Sequence, residues 1–113
     1  IGHGNTAFGT DAGKQLTSGN FNTFIGYNSN TNVTSLTNAT AIGYSSTASQ
    51  DNTLILGGTG SNSVNVGIGT STPTSKLQVV GLPVHVDNAA AVTAGLTAGA
   101  FYHSGDGIVR VVY

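Results

Sequence analysis

The sequence is dominated by an internal repeat in which a small or apolar pair of residues is followed by glycine. Five copies align, as TAFGTDAG, TFIGYNSN, TAIGYSST, TLILGGTG and NVGIGTST. The spacing of their landmark glycines is constant over the first three copies and shortens after the third; they are Gly9, Gly26, Gly43, Gly57 and Gly69. Self-similarity of this kind indicates a chain built from stacked structural units. The changes in length fall in polar segments such as TNVTSLTN, which we expect to form loops.

The apolar residues of each copy form clusters of strand length and show no helical periodicity. The clusters are Ala7-Phe8, Phe24-Ile25, Ala41-Ile42, Leu54 to Leu56, and Val66 with Ile68. Short runs of this kind, bounded by Asn, Ser, Thr and Gly, are typical of strands. Glycine after the apolar pair permits positive φ and a close approach of backbones. Residues 1–69 are therefore predicted to form a mainly β repeat shaft in which the five landmark glycines are structural residues.

Charge is scarce, at 6% of residues, with a net charge of −1. The basic residues Lys14, Lys76 and Arg110 are scattered, so the sequence lacks the basic patch that contacts with phosphate backbones require. Its apolar runs fall short of the roughly 20 residues that span a bilayer. We therefore expect neither nucleic acid nor a membrane as a partner.

Cysteine is absent, so disulfides cannot stabilise the fold. A lone chain of short strands would leave many strand edges open, and open edges must be paired, covered or blunted. Association with further copies of the chain is the simplest way to cover them.

The last third of the chain differs from the repeats. Residues 70–81 contain Pro73 and then the alternating strand-like run KLQVV, which predicts a junction strand. Residues 82–113 are predicted to form a tip with a short helix over 88–94, capped by Asp87 and ended by Gly95. A hairpin is predicted over 100–113, with its turn in the string SGDG.

Three parts of the sequence resemble fibre proteins. TAFGTDAG, TFIGYNSN and TAIGYSST are similar to the head repeats of trimeric adhesins and to the related collar of bacteriophage fibres. VGIGTSTPTSKLQVVG resembles a segment of phage tail fibres and bacterial surface fibres that precedes a C-terminal tip or a self-cleaving chaperone domain. The final GLPVHVDNAAAVTAGLTAGAFYHSGDGIVRVVY is similar to C-terminal segments of phage structural and fibre proteins.

This resemblance implies an intertwined homotrimer with a β-helix-like or β-prism-like shaft, part of a tail or head fibre of a phage or phage-like particle. The expected location is the virion or an extracellular appendage. The expected partners are further copies of the chain, upstream fibre or particle proteins, and a host surface glycan or protein receptor. Further chain is expected before Ile1, and the helix and hairpin are expected to close the trimer. A trimeric autotransporter adhesin, which would require a membrane barrel anchor, and a glycan depolymerase spike are the alternatives.

The sequence predicts no catalytic site, no cofactor and no bound metal. It has no Glu, and its four Asp residues each stand at a turn or cap signal, so paired carboxylates are not expected. His85 is the best candidate for an axial metal ligand, because a trimer would present it three times; a surface or satisfied histidine is the competing interpretation. Tyr102 and Tyr113 are the candidate receptor contacts, since aromatic rings stack on sugars and other ligands.

Overall fold

A computed structural model describes residues 2–113, and Ile1 lies outside them. The chain forms two compact units, one ending at Val66 and the other spanning Gly67–Tyr113. The strands within the described residues are β1 (Thr6–Phe8), β2 (Thr23–Ile25), β3 (Asn30–Thr31), β4 (Thr40–Ile42), β5 (Thr47–Ala48), β6 (Leu54–Leu56), β7 (Val66–Ile68), β8 (Leu77–Val79), β9 (Phe101–His103) and β10 (Val109–Val111). A helix, α1, spans Asn88–Thr93, and a 3-10 turn spans Gly60–Asn62.

The N-terminal unit is a small parallel β-solenoid of about three turns. Its main sheet has the order β1-β2-β4-β6, with every neighbouring pair parallel. Equivalent residues of successive repeats lie side by side, so Thr6 pairs with Thr23 and Thr23 with Thr40. A second parallel pair, β3 and β5, forms another wall of the coil. The predicted mainly β, solenoid-like architecture is confirmed.

The landmark glycines form a column along this solenoid. Gly9, Gly26 and Gly43 have φ values of 132°, 124° and 117°. A Cβ atom on Gly26 would lie 2.7 Å from the carbonyl oxygen of Gly43, closer than real Cβ atoms come to backbone. The glycines are therefore needed both for their backbone conformation and for the contact between coils.

Two columns of left-handed residues turn the chain at the corners of each coil. Asp11, Asn28 and Ser45 form the first column, with φ values of 59°, 53° and 51°. The second column has φ values between 55° and 65° and consists of Gly4, Phe21, Asn38 and Asn52. Asn and Asp tolerate this conformation better than other residues with a Cβ, which explains their frequency in the repeat.

The interior of the N-terminal unit combines a small apolar core with buried polar side chains. The core residues are Phe24, Leu36, Ala39, Ala41 and Ala48. Asn22 is fully buried, accepts a hydrogen bond from the Ala39 amide (2.9 Å) and donates one to the Leu36 carbonyl (2.5 Å). All buried side-chain polar atoms among residues 2–113 have a partner.

The parallel ladder ends at β6, so the expected extension of the repeat shaft to Gly69 is not observed. The chain after β6 makes the 3-10 turn at Gly60–Asn62, and β7 pairs with β8 instead of continuing the main sheet. The space beside Gly57, where a further landmark glycine would lie, is taken by the side chain of Val64. The segment from Gly57 to Gly69 is also shorter than the segment from Gly43 to Gly57, which is the shortest coil of the ladder.

The C-terminal unit packs α1 against one face of a small sheet. β9 pairs antiparallel with β10 on one side, and Val84 forms a parallel bridge to His103 on the other. The core consists of Ala91, Tyr102 and Val112. At the start of α1 the Asp87 carboxylate accepts a hydrogen bond from the Ala90 amide (2.8 Å). Gly95 follows the helix with φ of 95°.

Candidate functional site

The first candidate surface is a column of apolar side chains on the outer face of the main sheet. It contains Phe8, Ile25, Ile42 and Leu56, which pair in register across four strands and are 75%, 38%, 37% and 45% exposed. We call this set the apolar column. Strand residues alternate between faces, so the central residue of each strand points inward while its neighbours point outward. The remaining outward residues of these four strands are likewise uncharged: Thr6, Thr23, Thr40 and Leu54.

Two tyrosines extend the exposed aromatic surface of the same unit. Tyr27 and Tyr44 occupy equivalent positions just after the landmark glycines Gly26 and Gly43. Their rings are stacked, with centroids 5.7 Å apart and planes inclined by 11°. Part of each ring therefore contacts the tyrosine of the neighbouring coil, and both side chains remain more than half exposed.

The second candidate surface is a groove of about 400 Å³ in the C-terminal unit, which we call the polar groove. Its lining comes from the segment before α1, the first residue of α1, and both strands of the hairpin. The lining residues are Val86, Asp87, Asn88, Tyr102, Arg110, Val111 and Tyr113. The groove thus combines an aromatic ring, an amide, a carboxylate and a guanidinium, which are groups that bind polar ligands such as sugars through stacking and hydrogen bonds.

Arg110 belongs to a hydrogen-bonded network around the hairpin turn. Its Nη2 lies 3.2 Å from Oδ2 of Asp106, and its Nε donates to the Ser104 hydroxyl at 2.8 Å. Asp106 also accepts hydrogen bonds from the Ile108 amide and the Ser104 hydroxyl. These bonds, above all the one from the Ile108 amide, lower the pKa of Asp106 below its ordinary value. The network fixes the guanidinium at one end of the groove.

The two tyrosines predicted to contact a receptor both line the polar groove, but they differ in accessibility. Tyr113 is 91% exposed, so its ring is available to a ligand. Tyr102 is 2% exposed and packs in the core with Ala91 and Val112. The expectation for Tyr102 is therefore corrected: its ring is held by core packing, since it is a central residue of β9 that faces the helix.

His85 is half-buried against Tyr102, with ring centroids 6.1 Å apart. Its neighbours Val84 and Val86 are 60% and 80% exposed. Within residues 2–113 no three side chains of His, Asp, Glu or Cys come together as a metal site would require. The axial site suggested for His85 would need three copies of the chain.

Several residues of these surfaces were not identified from the sequence. Asn88 and Arg110 line the polar groove but lie far apart in the chain, and no spacing rule connects a helix start with a hairpin strand. The sequence does contain a pattern that indicates the apolar column, because the residue before each of the first three landmark glycines is Phe or Ile. Only the parallel register reveals that these residues share one exposed face.

Among residues 2–113, neither the length nor the hydrophobicity of any helix meets the requirements of a transmembrane span. Comparison of the chain with protein-family models, with curated proteins and with solved structures found no match.

Proposed function

We propose that this chain is a structural segment of a homotrimeric fibre on a bacteriophage or phage-like particle, and that its C-terminal unit takes part in attachment to a host surface. The apolar column is the observation that carries this proposal. The polar groove supports the proposed attachment to a host surface. The resemblance of the repeats and of the segment around Pro73 to fibre proteins supports the assignment to a phage or phage-like particle.

The apolar column calls for a partner because soluble monomers rarely expose a continuous apolar strip across a whole sheet. The strip is continuous, since parallel in-register pairing aligns Phe8, Ile25 and Ile42. Burying apolar surface contributes about 25 cal/mol per Å². A second copy offers a face of the same kind, equally free of charge, and three copies close around an axis so that each column is covered.

Attachment through the polar groove would follow from its chemistry. The exposed ring of Tyr113 provides a stacking surface, and the guanidinium of Arg110, which has N–H groups beyond those bound to Ser104 and Asp106, provides hydrogen bonds beside it. A trimer carries three such grooves, so weak individual contacts add up to firm binding on a surface that repeats the ligand.

The trimer is tested by measuring the mass of the chain in solution with light scattering. We expect three times the chain mass of 11.3 kDa, and a mass of 11.3 kDa would contradict the proposal. Ile42→Asp, which places a charge in the apolar column, should shift the mass towards that of the monomer. Val33→Asp is the matched control, because Val33 is also 37% exposed but lies outside the main sheet; it should leave the mass unchanged.

The particle is tested by immunogold electron microscopy of the source culture with antibodies against this chain. Gold on the fibres of phage or phage-like particles is the expected result. Gold on the cell envelope alone would refute the phage setting and favour the adhesin alternative.

A further inference from the structure

The hydroxyl group of Tyr102 has no hydrogen-bond partner within residues 2–113. The side chain is 2% exposed, and its ring is held in the core by Ala91 and Val112. Every fully enclosed side-chain polar atom of the same residues has a partner, so this hydroxyl must be accessible to solvent. Tyr102 lines the polar groove, and the hydroxyl therefore opens into it. A polar group that is almost completely buried but unpaired calls for a partner from outside the chain.

The carboxylate of Asp87 brings an unused acceptor to the same groove. Its Oδ1 accepts a hydrogen bond from the Ala90 amide at 2.8 Å and so caps α1. Its Oδ2 makes no hydrogen bond within residues 2–113. Because Asp87 lines the groove and is exposed, this oxygen can accept a hydrogen bond from a bound molecule.

Arg110 contributes hydrogen-bond donors to the groove but no excess of positive charge. Its Nε is bound to Ser104, and its Nη2 lies 3.2 Å from Asp106, which leaves N–H groups on Nη1 and Nη2 for a ligand. The Asp106 carboxylate balances the charge of the guanidinium. With Asp87 added, these three side chains have a net charge of −1, since one is positive and two are negative.

The size of the groove and the ring beside it suit a small polar ligand. The volume of about 400 Å³ is at the lower end of the roughly 300–1,000 Å³ of small-molecule sites. Tyr113 is 91% exposed and presents its aromatic face at this site. An aromatic face with donors and acceptors nearby fits a sugar ring, which has an apolar face and hydroxyls around its edge.

We infer that the polar groove binds an uncharged pyranose sugar and selects it against sugars that carry a carboxylate. This inference rests on the attachment role proposed above for the C-terminal unit and names the class of ligand. The sugar stacks on Tyr113, and its hydroxyls donate to Asp87 Oδ2 and accept from Arg110, since a hydroxyl can do both. The Tyr102 hydroxyl gains its missing partner. A carboxylate on the sugar is repelled by Asp87, while the attraction of Arg110 is offset by Asp106.

The same lining is poorly suited to a protein receptor. A stable protein interface buries about 800 Å² on each partner, and its strongest contacts come from aromatic and apolar side chains in dry pockets. The aliphatic residues of this groove are Val86 and Val111, and its other lining groups are polar or aromatic. A protein receptor is therefore an alternative outcome of the test.

Competition for binding to cells tests the inference. Fluorescently labelled chain is bound to cells of the source culture in the presence of glucose, galactose or mannose, each compared with its own hexuronic acid at the same low ionic strength. At least one hexose should inhibit at an about fivefold lower concentration than its hexuronic acid, because two unit charges 4 Å apart in water repel each other by about 1 kcal/mol. Periodate oxidation of the cells, which cleaves vicinal diols of sugars, should abolish binding.

Two variants test the contacts within the groove. Tyr102→Phe removes a hydroxyl that has no protein partner, so the midpoint of unfolding should stay unchanged while half-inhibition needs about fivefold more hexose. Its control is Tyr44→Phe, at an exposed tyrosine of the N-terminal unit, which should change neither quantity.

Asp87→Asn preserves the cap of α1, because Asn and Asp are equally good N-caps, but it removes the negative charge. The preference for the hexose over its hexuronic acid should therefore disappear. The matched control is Asp51→Asn, since Asp51 is likewise exposed and accepts a backbone hydrogen bond, from Thr37 at 2.8 Å. This control should retain the preference.

The outcomes separate this inference from the attachment role on which it rests. Binding to cells that resists periodate, or that none of the three hexoses inhibits, overturns the inference and leaves attachment standing. Equal or stronger inhibition by the hexuronic acids, a preference that Asp87→Asn does not reduce, or unchanged inhibition of Tyr102→Phe overturns it as well. Absence of any binding of the chain to the cells overturns both.

Discussion

The side chain of Asn88 holds the backbone of Tyr113 through two hydrogen bonds. Asn88 Nδ2 donates to the Tyr113 carbonyl oxygen, and the Tyr113 amide donates to Asn88 Oδ1, each at 3.1 Å. The side-chain amide of Asn88 thus supplies the hydrogen bonds to Tyr113 that a neighbouring strand would otherwise supply. Asn88, the first residue of α1, therefore fixes the backbone of Tyr113, whose exposed ring lines the polar groove.

Replacing Asn88 by Ala should release Tyr113 without unfolding α1, because Ala is the better helix former. Losing two solvent-exposed hydrogen bonds costs about 1 kcal/mol, so exchange of the Tyr113 amide hydrogen should become about fivefold faster. Hydrogen exchange followed by NMR measures this. Thr97→Ala, at an exposed position outside the sheet, should leave the exchange rate unchanged; an equal acceleration there would argue against a specific role of Asn88.

Gly26→Ala should disrupt the solenoid. The added Cβ would lie 2.7 Å from the Gly43 carbonyl oxygen, at a φ of 124°. We expect a loss of more than about 3 kcal/mol in the free energy of unfolding, measured by denaturant titration at fixed protein concentration. Gly60→Ala is the control, because Gly60 has φ of 58° and nothing within 4 Å of the added Cβ; its cost should be about 1 kcal/mol. Similar costs for both would contradict the role of the glycine column.

Asn22→Ala should be costly because it leaves a buried backbone amide without a partner. The Ala39 amide loses its hydrogen bond to this side chain, whereas the Leu36 carbonyl still accepts one from the Asn20 amide (3.0 Å). An unsatisfied buried group costs about 1–3 kcal/mol, so we expect a destabilisation of about 2 kcal/mol by the same titration. The exposed Asn32→Ala should change stability by less than about 0.5 kcal/mol. A small effect of Asn22→Ala would mean that water replaces the amide.

The Asp106 carboxyl should titrate below its ordinary pKa of 3.8. Because the folded state lowers this pKa, the carboxylate stabilises the hairpin fully above pH 3.8, and the contribution is lost as pH falls through the folded-state value. An NMR titration of the carboxyl carbon measures the midpoint. Ser104→Ala removes one donor and should raise the midpoint, whereas Thr97→Ala should not; an unshifted wild-type midpoint would refute the network.

The repeat was sufficient to predict a mainly β shaft of stacked units, because an apolar pair followed by glycine is interpretable without tertiary information. The β-helix-like form of that shaft was implied by the resemblance to fibre proteins. The corners were harder to predict. Asn28 and Asn38 are residues that tolerate a left-handed conformation, but Phe21 adopts it as well, at φ of 57°. No local preference of Phe predicts this. The stacked neighbouring coils, with hydrogen bonds such as the one from the Phe21 amide to the His3 carbonyl, impose it.

The end of the solenoid and the polar groove could not be predicted from the sequence, because both depend on tertiary packing. A fifth glycine motif suggested a further coil, but Val64 occupies the space beside Gly57. The exposure of Tyr113 and the burial of Tyr102 depend on which face of the hairpin α1 covers. That face is determined by the packing of Ala91 against Tyr102 and Val112. Turn chemistry in the string SGDG indicates a hairpin but not which face is covered.

The parallel register of the N-terminal unit restricts how such a chain can lengthen during evolution. Adjacent strands lie about 4.8 Å apart, so a whole coil of chain advances by only that distance. The same length of α-helix would advance about five times as far. Gain or loss of one whole coil keeps residues such as Ile25 and Ile42 aligned, while a fractional coil would move them off the column. The solenoid therefore grows or shrinks by whole coils, and each coil adds or removes one complete row of contact surface.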